Sequence, residues 1–196
     1  MEKTMQTKFT PLFRLWHWLM AFSIFGLLGT VLLRKTFLDK KANAEIIMQK
    51  LSGFHVTIDH DQAIAVAKAI RAPMWEWHYI LAIGLGIAIA LRIFLMLTGQ
   101  AQMPLLKLIR AEGAMEKFKA LIHLLLCAVI AVIALTGAVY YFFESDSIHW
   151  VKEMHETLMW PLIVLITLHI VGVIKHELST KEPLVSKMIH GDELKC

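Results

Sequence analysis

The chain has 196 residues, 57% of them hydrophobic and 18% charged, with a mean hydropathy of +0.59. A soluble domain of this length has too small an interior for so much apolar surface, which excludes an ordinary soluble globular protein and makes lipid the solvent. The formal net charge of +4 lies mostly in tails and connections, a pattern of membrane topology rather than of nucleic-acid binding.

Four apolar runs follow one another, Leu15–Leu33, Tyr79–Leu97, Ala120–Phe143 and Leu158–Ile174. Each is about long enough to cross a hydrocarbon core of ~30 Å. The first begins after Thr10-Pro11, an N-cap followed by a first-turn proline, and it ends at Arg34-Lys35 instead of a small-residue cleavage site. It is therefore expected to be a retained helix. Pro73 marks the start of the second span and Ser147 is placed to cap the fourth. With these starts the spans cover about 11–33, 74–98, 118–143 and 148–176, all within one transmembrane domain, 1–196. Pro161 is expected to bend the fourth.

The connection 34–72 is the one sizeable element outside the membrane. Ala42–Leu51 and Asp61–Ile70 carry apolar residues at helical spacing, predicting a small helical cap. The expected fold class is all-α, an integral membrane four-helix bundle with a small helical extracytoplasmic loop between helices one and two.

Orientation is read from lysine and arginine in the flanks. Lys3, Lys8 and Arg14, then Lys107, Arg110, Lys117 and Lys119, then Lys175, Lys181, Lys187 and Lys195 fall on one side. The third connection has Lys152 alone beside Glu144, Asp146 and Glu153, so both termini are expected in the cytoplasm. The first connection weakens this pattern with its basic residues from Arg34 to Arg71, though Asp39, Glu45, Asp59 and Asp61 accompany them. Cys127 and Cys196 fit neither a disulfide framework nor a CxxC motif, and the absence of CxxCH excludes covalent c-type haem attachment.

The ten histidines carry the chemistry, because ionisable side chains inside a membrane are costly. His155 and His169 are about four helical turns apart, on one face and separated by ~21 Å along the axis. Two haems, one towards each surface, need such a separation. His17 lies in the second turn of the first span, at the depth of His169. His78 lies in the second turn of the second span, at the depth of His155. The pairs are then His17 with His169 and His78 with His155, each giving a low-spin iron suited to electron transfer.

Arg92 follows His78 by the same four-turn step, at the depth of the inner haem, where a guanidinium pairs with a propionate; the alternative is a snorkelling arginine at a helix end. Arg14, one turn before His17, is a further candidate at that cofactor. Gly137 follows His123 by four turns and is expected either to leave room for the outer porphyrin or to serve simple helix packing. His123 stays open between an alternative inner ligand, a proton-handling group near a quinone and an interfacial residue. His176 and His149 are expected at the surfaces. His55 and His60, beside Asp59 and Asp61, offer an unspecific metal-site spacing in the outer loop. Trp16, Trp18, Trp75, Trp77, Trp150 and Trp160 are expected to form an interfacial aromatic belt.

RLWHWLMA around His17, WHYILAIGLGIAIALR from Trp77 to Arg92 and HETLMWPLIVLITLH from His155 to His169 together resemble the bacterial di-haem cytochrome b561 family. More loosely, they are similar to the b-type cytochrome subunits of hydrogenases and formate dehydrogenases. The resemblance covers all four spans and implies a four-helix bundle in which His17, His78, His155 and His169 ligate two non-covalent b haems. One branch of the family is similar to superoxide oxidases, which reduce membrane quinone. Ala82, where members often have glycine, and the long outer connection depart from the pattern.

The function implied is electron transfer across a bacterial cytoplasmic (inner) membrane between an extracytoplasmic donor and the quinone pool, as part of a respiratory chain. A quinone is the expected substrate and a redox partner is expected on 34–72. The alternative is a membrane anchor and electron-transfer subunit of a hydrogenase- or formate dehydrogenase-type complex. A metal-ion transporter is disfavoured, since no Asp or Glu interrupts the apolar runs.

Overall fold

A computed structural model describes residues 10–143, 146–180 and 183–191. Lys3, Lys8, Glu144, Lys181, Lys195 and Cys196, which entered the reading of topology and cysteine usage, lie outside them. The described residues form α1 (Pro11–Lys35), α2 (Lys40–Ser52), α3 (His60–Ile70), α4 (Ala72–Leu97), α5 (Pro104–Arg110), α6 (Ala114–Phe142), α7 (His149–Thr157), α8 (Met159–Thr180) and α9 (Leu184–His190), with no strand among them. Four stretches are long and apolar enough to span a membrane: α1, α4, α6, and α7 together with α8. At most 22% of the most apolar window of any of them is buried against protein. Phe22, Ile83, Leu135 and Trp160 stay exposed, and only lipid makes such a surface tolerable.

The helix starts show why the sequence folds locally as it does. The Thr10 side chain accepts from the Phe13 amide at 3.3 Å, and Pro11 opens α1 with no amide to satisfy. The expected cap elements appear as α2 and α3. Asp39 caps α2 by accepting from the Lys41 and Ala42 amides. Asp59 and Gln62 form a reciprocal capping box at α3, which contributes on the order of 1 kcal/mol.

The fourth span departs from expectation in two ways. Ser147 does not cap it: a short 3-10 turn covers Asp146–Ile148, and α7 begins at His149 without a side-chain cap. The helix is also interrupted at Leu158, three residues before Pro161. Proline lacks the amide that the Thr157 carbonyl would bind, so the break falls in the turn preceding the ring. The bend thus lies between His155 and His169, as the sequence suggests. The short helices α5 and α9 were not expected.

Two compact units emerge, one from Leu19 to Ile87 and the other from the described residues up to Trp18 together with those from Ala88 on. In the first, α2 packs on α3 through the buried Ala44, Ala63 and Ala67. There α1 and α4 approach closely: a Cβ on Gly26 would stand 2.8 Å from the Leu81 side chain, and one on Gly84 would stand 3.0 Å from Ser23 Oγ. Small residues permit this contact where lipid offers no hydrophobic drive. In the other unit, α6 packs against α5, α7 and α8. Its α9 is tied to the first turns of α1, with Arg14 Nη1 donating to the Ile189 carbonyl and Trp18 Nε1 to that of Met188, both at 3.2 Å.

Candidate functional site

The close α1–α4 contact brings Thr30 to His78, with 2.8 Å between Thr30 Oγ1 and His78 Nδ1. The threonine hydroxyl has one proton, and it is donated to the Leu27 carbonyl at 2.7 Å. With the proton so placed its oxygen can accept from Nδ1 of His78, the tautomer whose Nε2 lone pair imidazole uses to bind a metal. Trp75 stands edge-on to the His78 ring at 5.7 Å between centroids, and the Arg34 guanidinium lies 5.3 Å from the Trp75 ring centre.

His155 is oriented the same way by different means. Its Nδ1 lies 3.0 Å from the Ile133 carbonyl and 3.3 Å from Thr136 Oγ1 on α6. The Thr136 hydroxyl donates back to Val132 O at 2.8 Å, so the histidine is the donor to Ile133 and its Nε2 again holds the lone pair. The ring enters because residue 137 is glycine: a Cβ there would lie 2.9 Å from His155 Cε1. The space beside Gly137 is thus taken by the histidine itself, whereas the sequence suggested room for a porphyrin.

Around His17 the arrangement differs. His17 Nδ1 is buried without a hydrogen-bond partner. His169 lies within electrostatic reach of His17, and His123 within reach of Arg92, His169 and His17. Arg92 stacks over the Trp16 ring at 4.7 Å and over Phe13 at 5.9 Å, and its Nη2 donates to the Gln102 carbonyl at 3.1 Å. Trp16 is consequently buried, 6% exposed, whereas Trp77, Trp150 and Trp160 are exposed. Arg14 is engaged by α9, as described above.

Several polar atoms here have no partner: Nε of Arg14, Nε1 of Trp16, Nε and Nη1 of Arg92 and Nδ1 of His123, besides Nδ1 of His17. Each such buried group costs about 1–3 kcal/mol, and native proteins rarely tolerate several together. A flat apolar cofactor with carboxylate arms would relieve donors of this kind. The donor set, four imidazoles in apolar surroundings, suits haem iron. The residues therefore fit haem b. Elsewhere, His149 Nδ1 approaches Glu153 at 3.5 Å on the exposed surface. No group of three or more His, Cys, Asp or Glu able to hold a metal ion occurs among the described residues, His55 and His60 included.

Thr30, Thr136 and Gln102 were not singled out in the sequence. A threonine inside an apolar span, such as Thr30 or Thr136, is the signal that marks the first two. Gln102 contributes only its backbone and leaves no signal.

Four lipid-facing helices with imidazoles set within them define a membrane cytochrome of the b type. The family model described as prokaryotic cytochrome b561 matches residues 8–191, and the chain belongs to that family. It is accordingly a multi-pass bacterial membrane protein of transmembrane electron transport that binds haem b. No curated protein and no solved structure matches it.

Proposed function

We propose that the chain holds two b haems, one between His17 and His169 and one between His78 and His155, and moves electrons between an extracytoplasmic donor and membrane quinone. The observation that carries this reading is the preparation of the histidines. Nδ1 of His78 and of His155 each lies against an oxygen, an arrangement that leaves Nε2 for a metal. Buried donors of Arg14, Trp16 and Arg92 are of the kind that the carboxylates of a haem would pair with.

When bound, haem supplies a one-electron iron couple, and the chain's residues hold it and set its environment. The aliphatic faces of the spans keep water out. Arg92 and Arg14 would neutralise propionates, and His123, its Nδ1 buried and unpartnered, is the candidate proton-handling group for quinone. The lysine and arginine distribution supports cytoplasmic termini and an inner-membrane location.

A second reading, as the membrane subunit of a larger oxidoreductase, draws support from the connection 36–71, where Phe37 and Phe54 are 81% and 76% exposed. The two readings separate experimentally. Oxidation of the reduced, isolated protein by a soluble quinone analogue is expected from a free-standing quinone reductase. A stable copurifying oxidoreductase, with no quinone reaction by the isolated chain, favours the subunit.

A further inference from the structure

Where α5 meets α6, the chain forms a charged cleft at the start of an apolar span. Gly113, at a φ of +81° that glycine adopts at little cost, turns the chain from one helix into the other, and α5 packs on α6. An open cleft of about 410 Å³ lies there. Lys107 and Arg110, on one side of α5, line it with Glu112 in the turn and Glu116 on α6. Gln102, whose carbonyl accepts from Arg92, and the buried Ala120 are also on its walls.

The charges in the cleft are not matched among themselves. Lys119, from outside it, donates to Glu116 at 2.9 Å and neutralises that carboxylate. Lys107, Arg110 and Glu112 form no ion pair among the described residues. Two cations and one carboxylate are thus left to a ligand, a set complementary to a phosphate ester that carries an ammonium group.

The rim is apolar. Leu105 and Ile109 on α5 are exposed, as are Met115 and Phe118 on the first turns of α6. Side chains of this kind on helices that border lipid are covered by acyl chains. A ligand matching both features has a charged head and hydrocarbon tails. A quinone head is uncharged and answers neither Lys107 and Arg110 nor Glu112, whereas a soluble phosphate ester leaves the rim bare.

We infer that this cleft binds the headgroup of a zwitterionic phospholipid of the phosphoethanolamine type. The phosphate meets Lys107 and Arg110, the guanidinium pairing with two oxygens and the lysine acting as a point charge. The ammonium donates to Glu112, and the chains lie over Leu105, Ile109, Met115 and Phe118. This site depends neither on the number of haems nor on how the histidines pair.

Native mass spectrometry of the haem-loaded protein in detergent, titrated with phosphatidylethanolamine or with phosphatidylglycerol of the same chains, tests it. Phosphatidylglycerol keeps the phosphate but has no ammonium for Glu112. Phosphatidylethanolamine is expected to bind about fivefold more tightly, the worth of one interfacial charge. Equal affinity overturns the inference, and a preference for phosphatidylglycerol does so too by marking a site for anionic lipid. This comparison needs no variant.

Lys107→Gln and Arg110→Gln are each expected to weaken phosphatidylethanolamine binding about fivefold, and Glu112→Gln to erase the preference between the two lipids. Haem content at the wild-type level shows that each variant is folded. Lys117→Gln, beside the cleft but not on its walls, is expected to leave binding unchanged; an equal loss there means unspecific surface charge and overturns the site. Glycerophosphoethanolamine, the same head without chains, is expected not to displace the lipid at equal concentration. Displacement by it assigns the cleft to a soluble phosphate ester and overturns the lipid site.

Discussion

His155 occupies the space that a side chain on Gly137 would need, its Cε1 only 2.9 Å from where a Cβ would stand. The same helix supplies the Ile133 carbonyl to Nδ1, so α6 both admits the ring and fixes its rotation. Glycine at 137 is therefore a requirement of the histidine's position.

Gly137→Ala is expected to push the His155 ring from its place. The close contact predicts a cost of about 1–3 kcal/mol and reduced occupancy of one haem. Gly172→Ala is the control, because a Cβ there meets nothing within 4 Å. Haem content and thermal unfolding of both variants in detergent check the contrast.

Arg92 stands 4.7 Å from the Trp16 ring centre in an apolar setting. Arg92→Gln is expected to lose about 1–2 kcal/mol of stability through this contact, with Arg92→Lys intermediate because it keeps the charge but not the planar stack. Thermal unfolding of the two variants is the measurement, and equal stability of Arg92→Gln and wild type would count against the stack.

Much of this was legible in the sequence, for identifiable reasons. Spans announce themselves through long apolar runs. The cap helices did so through apolar spacing, since Asp39 and Asp59 act locally. The four-turn step from His78 to Arg92 singled out Arg92, and its stacking on Trp16 is a contact that no spacing announces. The burial of Trp16 under Arg92 is likewise a tertiary fact without a local pattern. Ser147 failed as a cap because the chain enters α7 through a 3-10 turn. Thr30 was invisible as a partner of His78 because their contact depends on the approach of α1 to α4 at Gly26 and Gly84. The helices α5 and α9 are too short for a periodic signal.

The Asp39 carboxyl is held below the ordinary carboxylate range chiefly by the Ala42 amide, with the Lys41 amide and the positive charge of Arg71 and Lys41 adding to it. A lowered folded value means that the charged cap contributes stability above the unfolded value, about pH 4, and loses it as pH falls through the lowered one. Asp39→Asn is expected to keep a cap while removing this pH dependence, and Asp39→Ala to lose both. Amide hydrogen exchange in α2 as a function of pH distinguishes the three proteins.

Replacing His78 or His155 is expected to eliminate one and the same haem, and replacing His17 or His169 the other. Haem quantification and redox titration of the four alanine variants check the pairing. Loss of the same haem from one member of each proposed pair means that the ligands combine otherwise.

The most direct measurement is a reduced-minus-oxidised visible spectrum of the purified chain, expressed with ample haem and quantified against protein. A b-type alpha band with close to two haems per chain is the expected result. A colourless protein, or one that saturates at a single haem, contradicts it.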